Sequence, residues 1–255
     1  YDVILAQDPL AGYVSRNRTV LKPYGAWAVV APFNFPMALV GGPAGAALVA
    51  GNTVVVKAPS DAPWTLRLLA DAMRDAGLPD GVFNYLSGGG RSTGAALVNH
   101  PDVAGITFTG SYEAGMDILR RFAAGRRPRP CIAEMGGKNA AIVSRHADLQ
   151  RAATGIVRSA FGLSGQKCSA CSRVLVEAPV AAELQARLVE ATRALKVGDP
   201  LQRENWMGPV INEASRANYL RAVGELRRDG EILVGGDVPA GLDAGHFVLP
   251  TFASV

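Results

Sequence analysis

Cysteine is scarce: only Cys131, Cys168 and Cys171 occur in 255 residues. A small, odd number argues against a disulfide framework and for a reducing compartment, so a cytoplasmic location is expected. Long apolar runs are missing as well. No stretch reaches the roughly 18 residues of a membrane span. The longest candidate, Met37 to Ala50, is interrupted by Gly41, Gly42, Pro43 and Gly45 and reads as a buried helix, so no membrane partner is expected. Nothing at the start resembles a signal peptide. No basic run dominates, since 26 lysines and arginines face 22 acids for a net charge of +4. Arg126, Arg127 and Arg129 cluster around Pro128 and Pro130, which reads as a solvated loop rather than a nucleic-acid surface. The histidines His100, His146 and His246 are isolated, so no metal site is expected.

What is present is ordinary globular material. Hydrophobic residues make up 49% and charged residues 19%, enough apolar surface for one large domain or two modest ones. The 29 glycines fall at turns between apolar runs rather than in a repeat. The chain opens on Tyr1 without methionine and stops at Val255 just after a strand-like run, which reads as a fragment.

Residues 1 to 23 are polar, centred on Arg16-Asn17-Arg18, and fit a hairpin or an arm. A strand–helix rhythm follows. Strands are expected at Ala26–Ala31, Thr53–Lys57, Val82–Leu86 and Gly105–Thr109. Helices are expected at Pro36–Ala50, from Pro63 to Gly77 with Leu68, Leu69, Ala72, Met73 and Ala76 on the apolar face, at Ser92–Asn99, and at Tyr112–Ala124. Alternation of this kind implies a parallel sheet covered on both faces, with ligands at the carboxyl ends of its strands. A second block has a strand at Ala140–Val143, a helix at Leu149–Phe161, a strand at Arg173–Glu177, and a helix marked by Val180, Leu184, Leu188, Ala191 and Leu195. The boundary between domains is placed near Gly136-Gly137, dividing 24–136 from 137–255.

Several segments carry chemistry. Gly88-Gly89-Gly90-Arg91-Ser92-Thr93-Gly94 lies between a strand and a helix, where backbone amides can face a phosphate; such loops are also plain tight turns. Phe108-Thr109-Gly110-Ser111 joins a strand directly to a helix and suits a pyrophosphate, although Ser111 also reads as a simple N-cap. Lys57 ends a run of three valines, placed to meet a ligand hydroxyl or phosphate, or to snorkel at the surface. Cys168 sits in Gly165-Gln166-Lys167-Cys168-Ser169, where the adjacent Lys167 could favour the nucleophilic thiolate, although most lone cysteines are buried and inert. Cys168 and Cys171 also form a C-x-x-C pair. That spacing fits a redox couple or half a zinc site, but a second pair of zinc ligands and a thioredoxin-like context are both missing. Glu134 precedes Met135-Gly136-Gly137 and is open to close approach by a water or substrate, or is a turn carboxylate. Asn34, within Pro32-Phe33-Asn34-Phe35-Pro36, can cap the helix beginning at Pro36 or donate to a reacting oxygen.

Taken together, P-F-N-F-P at 32–36, V-V-V-K at 54–57, G-x-G-x-x-x-G at 88–94, F-T-G-S at 108–111, E-M-G-G-K-N at 134–139 and G-Q-K-C-S-A-C-S-R at 165–173 resemble the aldehyde dehydrogenase superfamily, in its order and close to its spacing. The resemblance implies an α/β fold: a Rossmann-type parallel-sheet cofactor domain followed by an α/β catalytic domain. It implies Cys168 as nucleophile, Glu134 as general base and Asn34 as oxyanion donor. It implies NAD or NADP as cofactor, held by Ala31, Pro32, Phe33, Lys57, Ser60, Gly90, Gly94, Phe108, Thr109, Gly110, Ser111, Met135 and Gly136. The partner is then a small-molecule aldehyde. Residues 1–23 resemble the family's oligomerisation hairpin, so the full-length parent is expected to be a homo-oligomer. Arg158-Ser159-Ala160-Phe161, Gly137-Lys138-Asn139 and Gly165 to Cys171 are similar to the 1-pyrroline-5-carboxylate dehydrogenases, which oxidise glutamate γ-semialdehyde to glutamate. By that comparison Ser169 contacts the substrate carboxylate. One departure stands out: Ser60 occupies a position where the family usually has glutamate. The resemblance also implies a further E-x-F-G-P-V segment gripping the nicotinamide ribose, which is absent from these 255 residues. The competing readings are a truncated, non-catalytic oligomerisation module of the same fold, and a thiol–disulfide oxidoreductase using Cys168 with Cys171.

Overall fold

A computed structural model describes residues 3–5, 17–20, 22–125 and 127–255. Arg16 and most of the arm expected over 1–23, and Arg126 of the arginine cluster, lie outside the described residues. The chain divides into two compact units, Tyr1–Met135 and Gly136–Val255.

In the first unit, β1 (Val3–Leu5) pairs antiparallel with β2 (Asn17–Thr19). The main sheet follows: β3 (Ala26–Val30), α1 (Ala38–Val49), β4 (Thr53–Lys57), α2 (Trp64–Asp75), β5 (Phe83–Leu86), a π-helical turn at Gly90–Gly94 leading into α3 (Ala95–Asn99), β6 (Val103–Thr109), α4 (Tyr112–Ala123) and β7 (Cys131–Glu134). The five strands are all parallel, in the order β5-β4-β3-β6-β7. The winding starts at β3, runs outward through β4 to β5, then returns to β6 on the other side. The order therefore reverses between β3 and β6, and ligands of such sheets sit outside the carboxyl ends at that point.

Side-chain alternation accounts for the layers. Along β3, Trp27 and Val29 pack with Val40, Ala44 and Ala47 of α1 and Leu66 of α2. Ala28, between them, packs with Leu97 and Val98 of α3 and Ile118 and Phe122 of α4. A strand buried on both faces has no polar side to show, so it reads as an unbroken apolar run. Helix α1 contains three glycines and Pro43, all poor helix formers, and is sustained by the burial of Val40, Ala44 and Ala47. It ends where Gly51 takes φ +85°: the Gly51 N–H reaches the Leu48 carbonyl (2.9 Å) and the Asn52 N–H that of Ala47 (3.0 Å). This left-handed C-terminal cap is available to glycine at little cost.

The second unit holds β8 (Asn139–Val143), α5 (Leu149–Phe161), a short turn at Gly162–Gly165, β9 (Cys171–Val176), α6 (Ala178–Arg193), α7 (Glu213–Asp229), β10 (Glu231–Val234) and β11 (Phe252–Ser254). Strands β8 and β9 are parallel and joined through α5; β10 and β11 are antiparallel. Val143, Ala153, Ile156, Val157, Leu184 and Leu188 form the buried cluster.

Three features differ from the sequence expectations. Helix α1 starts at Ala38, not Pro36, so Asn34 does not cap it; the Asn34 Oδ1 instead accepts the N–H of Phe35 (3.0 Å). The inner face of α2 is offset from the expected one. Leu66 is buried and Leu69 packs beside it, while Leu68 is half exposed, because the longer apolar stripe was not the one the sheet covers. Finally, β7, α7 and β10 were not anticipated. Helix α7 buries only Val223, so apolar spacing gives almost no signal. Its evidence is terminal: Asn212 accepts the Ser215 N–H (2.9 Å), Glu213 sits in the first turn, and Arg227 and Arg228 in the last.

Candidate active site

At the carboxyl ends of β3, β4 and β6 in the first unit lies a cavity of about 930 Å³, bordered by Val30, Lys57, Phe108, the turn Gly89–Ser92, Gly94 and part of α4. It sits where the strand order reverses. Lys57 is only 5% exposed although it is charged. Burial pushes its pKa below the ordinary lysine value, and the Asp61 carboxylate partly offsets this. Two arginines also border the cavity. Arg121 is paired with Asp117 (2.8 Å), whereas Arg91 has no ion-pair partner among the described residues.

The predicted cofactor residues distribute around this end of the sheet. Ala31 and Pro32 are buried directly after β3, with the Ala31 N–H bonded to the Lys57 carbonyl (3.1 Å); Phe33 and Asn34 are partly exposed. Ser60 lies beside the glycine segment, its hydroxyl 3.4 Å from the Gly88 carbonyl, a long and weak contact. Gly90 and Gly94 bound the π-helical turn, closed by the Gly94 N–H on the Gly89 carbonyl (3.1 Å). Phe108 is buried in the cavity wall, and Thr109 is the register partner of Glu134. The Gly110 N–H bonds the Glu134 carbonyl (3.1 Å), which leaves the Glu134 side chain exposed at the tip of β7. Ser111 is exposed and is the N-cap of α4, its Oγ accepting the Ala114 N–H (3.3 Å). The cap reading therefore holds. Met135 packs into the cluster that contains Phe108, and Gly136 opens the second unit.

In the second unit, Cys168 is exposed in a reverse turn closed by the Ala170 N–H on the Lys167 carbonyl (3.2 Å). Ser169, next to it, is exposed too. The backbone approaching this turn is strained: Leu163 (φ 56°) and Ser164 (φ 55°) both adopt the left-handed conformation, followed by Gly165 (φ 73°). Non-glycine residues held this way cost on the order of 1–3 kcal/mol each and persist only where neighbours enforce them. Here the Ser164 hydroxyl donates to the Gly208 carbonyl (2.9 Å), and the Gln166 Oε1 accepts the Ile211 N–H (2.9 Å). Lys167 turns its ammonium over Gly162 at the end of α5. Ser159 accepts the Cys171 N–H (3.2 Å), and the half-buried Cys171 thiol contacts the Arg173 carbonyl (3.3 Å).

Asn139 is named from the sequence only as part of the resembling segments and is given no role there, yet it holds the cysteine turn. Its Nδ2 donates to the carbonyls of both Cys168 (2.7 Å) and Ala170 (3.1 Å). Gly137 lets the segments approach: a Cβ there would stand 3.1 Å from the Cys168 oxygen. Among the described residues, no group of three or more histidines, cysteines or acids stands together as a metal site, and no helix is long and apolar enough to cross a membrane.

A doubly wound parallel sheet with a cavity at its switch point, followed along the chain by an α/β unit presenting a braced thiol, defines a Rossmann-type protein with a second α/β unit. The chain belongs to the aldehyde dehydrogenase family, whose model matches residues 6–255. The 1-pyrroline-5-carboxylate dehydrogenase of Geobacillus thermodenitrificans is 43% identical over 246 residues, covering 94% of this chain and 47% of that protein. A crystal structure of 1-pyrroline-5-carboxylate dehydrogenase from Thermus with bound NAD superposes with a TM-score of 0.86 at 35% identity, over 91% of this chain and 45% of the other. Proline utilization A from Bdellovibrio bacteriovorus, inactivated by N-propargylglycine, gives a TM-score of 0.90 at 37% identity, over 99% of this chain and 26% of the other. The chain spans about half the length of the curated relatives it matches.

Proposed function

We propose that the complete gene product oxidises an aldehyde to a carboxylic acid with NAD⁺ or NADP⁺, using Cys168 as the nucleophile. The observation that carries this is the exposed Cys168 thiol, in a turn braced by Asn139 and preceded by strained left-handed backbone. The first unit is then the cofactor domain. Its cavity of about 930 Å³, with a buried lysine and a glycine turn at the strand ends, fits a dinucleotide in size and donor set. Lys57 would hold the adenosine ribose and Ser111 the pyrophosphate.

In this mechanism the Cys168 thiolate attacks the aldehyde carbon to form a thiohemiacetal. The Asn34 Nδ2 and the Cys168 backbone N–H donate to its oxyanion. Asn34 is suited to this because its oxygen is already held by the Phe35 N–H, which fixes the orientation of the amide. A nicotinamide held in the cavity would supply the hydride acceptor through which the Cys168 thiohemiacetal becomes a thioester. Glu134 takes a proton from water, the resulting hydroxide displaces the Cys168 thiolate, and the acid leaves. The balance is aldehyde plus oxidised cofactor plus water to acid, reduced cofactor and a proton. The substrate in this reading is glutamate γ-semialdehyde, with Ser169 on its carboxylate. The arm of β1 and β2 serves oligomerisation, and the enzyme is cytoplasmic.

The test is Cys168→Ala in the complete gene product. Aldehyde-dependent formation of reduced cofactor should vanish while NAD⁺ still binds. Residual turnover above the uncatalysed rate would overturn the assignment.

A further inference from the structure

We propose that Asn139 is a positioning residue for the nucleophile: by donating to the carbonyls of Cys168 and Ala170 it sets the geometry and the reactivity of the Cys168 turn. The inference rests on the reading of Cys168 as the reacting thiol. Three observations carry it. The first is the pair of hydrogen bonds from one amide nitrogen, 2.7 and 3.1 Å, to carbonyls on either side of Ser169. One NH₂ group has two hydrogens, so both are used by the turn. The second is the register of the β8–β9 pair. Asn139 faces Cys171 while Ala140 faces Arg173, so Ser172 is an extra residue and the ladder is broken at Asn139. Bulges of this kind re-aim a strand end next to a site. The Ser172 hydroxyl, in turn, donates to the Asn139 carbonyl (3.2 Å), holding the clamp residue itself. The third is the close approach at Gly137, 3.1 Å from the Cys168 oxygen for a notional Cβ, which closes the same carbonyl in from a second side.

The physical consequence is electrostatic as well as steric. A carbonyl oxygen carries the negative end of the peptide dipole. While Asn139 engages the Cys168 and Ala170 oxygens, those negative ends point at its amide. Released, they are free to rotate toward the neighbouring sulfur and disfavour the thiolate, the nucleophilic form. Trans peptide geometry adds that fixing the Cys168 carbonyl fixes the Ser169 N–H in the opposite direction.

The experiment is the pH profile of iodoacetamide alkylation at each cysteine, read by peptide mass, for the wild-type chain, Asn139→Ala and Asn139→Ser. At neutral pH, Asn139→Ala should slow alkylation of Cys168 about tenfold and move its profile to higher pH. Cys131 and Cys171 should label as in the wild type. Asn139→Ser, with one donor, should fall between, and it carries the comparison if the alanine variant does not fold. Cys168 alkylation within twofold of wild type in both variants, or a change common to all three cysteines, overturns the inference. The two readings separate cleanly. A complete gene product that forms no reduced cofactor from any aldehyde, with the Cys168 shift intact, sinks the dehydrogenase reading and leaves the positioning role standing. Normal turnover with an unshifted profile does the reverse.

Discussion

Lys57 ends β4 and Ser60 follows three residues later; in the proposed function the two would together set what is tolerated on an adenosine ribose. A carboxylate at position 60 would repel a 2′-phosphate, whereas a serine does not. Among the described residues its hydroxyl meets only the Gly88 carbonyl, at a long 3.4 Å, so little structure depends on it. Lys57 and Arg91 both border the cavity as cations. The enzyme should therefore accept NADP⁺ with kcat/KM within about tenfold of NAD⁺, a gap of roughly 1.4 kcal/mol. Ser60→Glu should depress NADP⁺ use and largely spare NAD⁺. The pH dependence has a definite sign. Burial lowers the Lys57 pKa, so its positive charge fades at a lower pH than an ordinary lysine's. The NADP⁺/NAD⁺ ratio of kcat/KM should fall as pH rises from neutral into the alkaline range. Rejection of NADP⁺ by a factor of a thousand at neutral pH would contradict the Ser60 argument and move attention to Asp61.

Elements were legible where one periodicity dominated. The valine run of β4 and the helix Leu149–Phe161 have the bounds their residues imply, because β-branched residues and an apolar stripe leave little choice. Legibility failed where two stripes competed or none existed. In α2 the sheet covers Leu66, not Leu68, and a single chain does not announce which stripe will be covered. Leu66→Ala should therefore lower the unfolding free energy by about 2–5 kcal/mol, while Leu68→Ala should change it by no more than about 0.5 kcal/mol. Urea titration of both variants measures this; equal losses would mean the face is misassigned. The π-helical turn at Gly90–Gly94 was also unreadable, since an i→i+5 bond depends on where the Gly89 carbonyl points rather than on composition.

At the scale of the whole molecule, parallel winding was foreseeable from alternating strands and helices, and the motif residues could be found because each lies at a strand end or turn. The way one side chain braces another was not. Asn139 and Cys168 are 29 positions apart, and no spacing rule joins them. If Ser169 meets a carboxylate, the complete enzyme should prefer glutamate γ-semialdehyde to hexanal; equal kcat/KM for the two would remove the substrate assignment and leave the reaction class. The reaction class itself is tested most directly by Glu134→Gln in the complete gene product. Mixed with aldehyde and NAD⁺, this variant should release one equivalent of reduced cofactor per active site and then stall. The peptide containing Cys168 should then carry the mass of the acyl group. Steady turnover by the variant, or an acyl group absent from Cys168, would contradict the account.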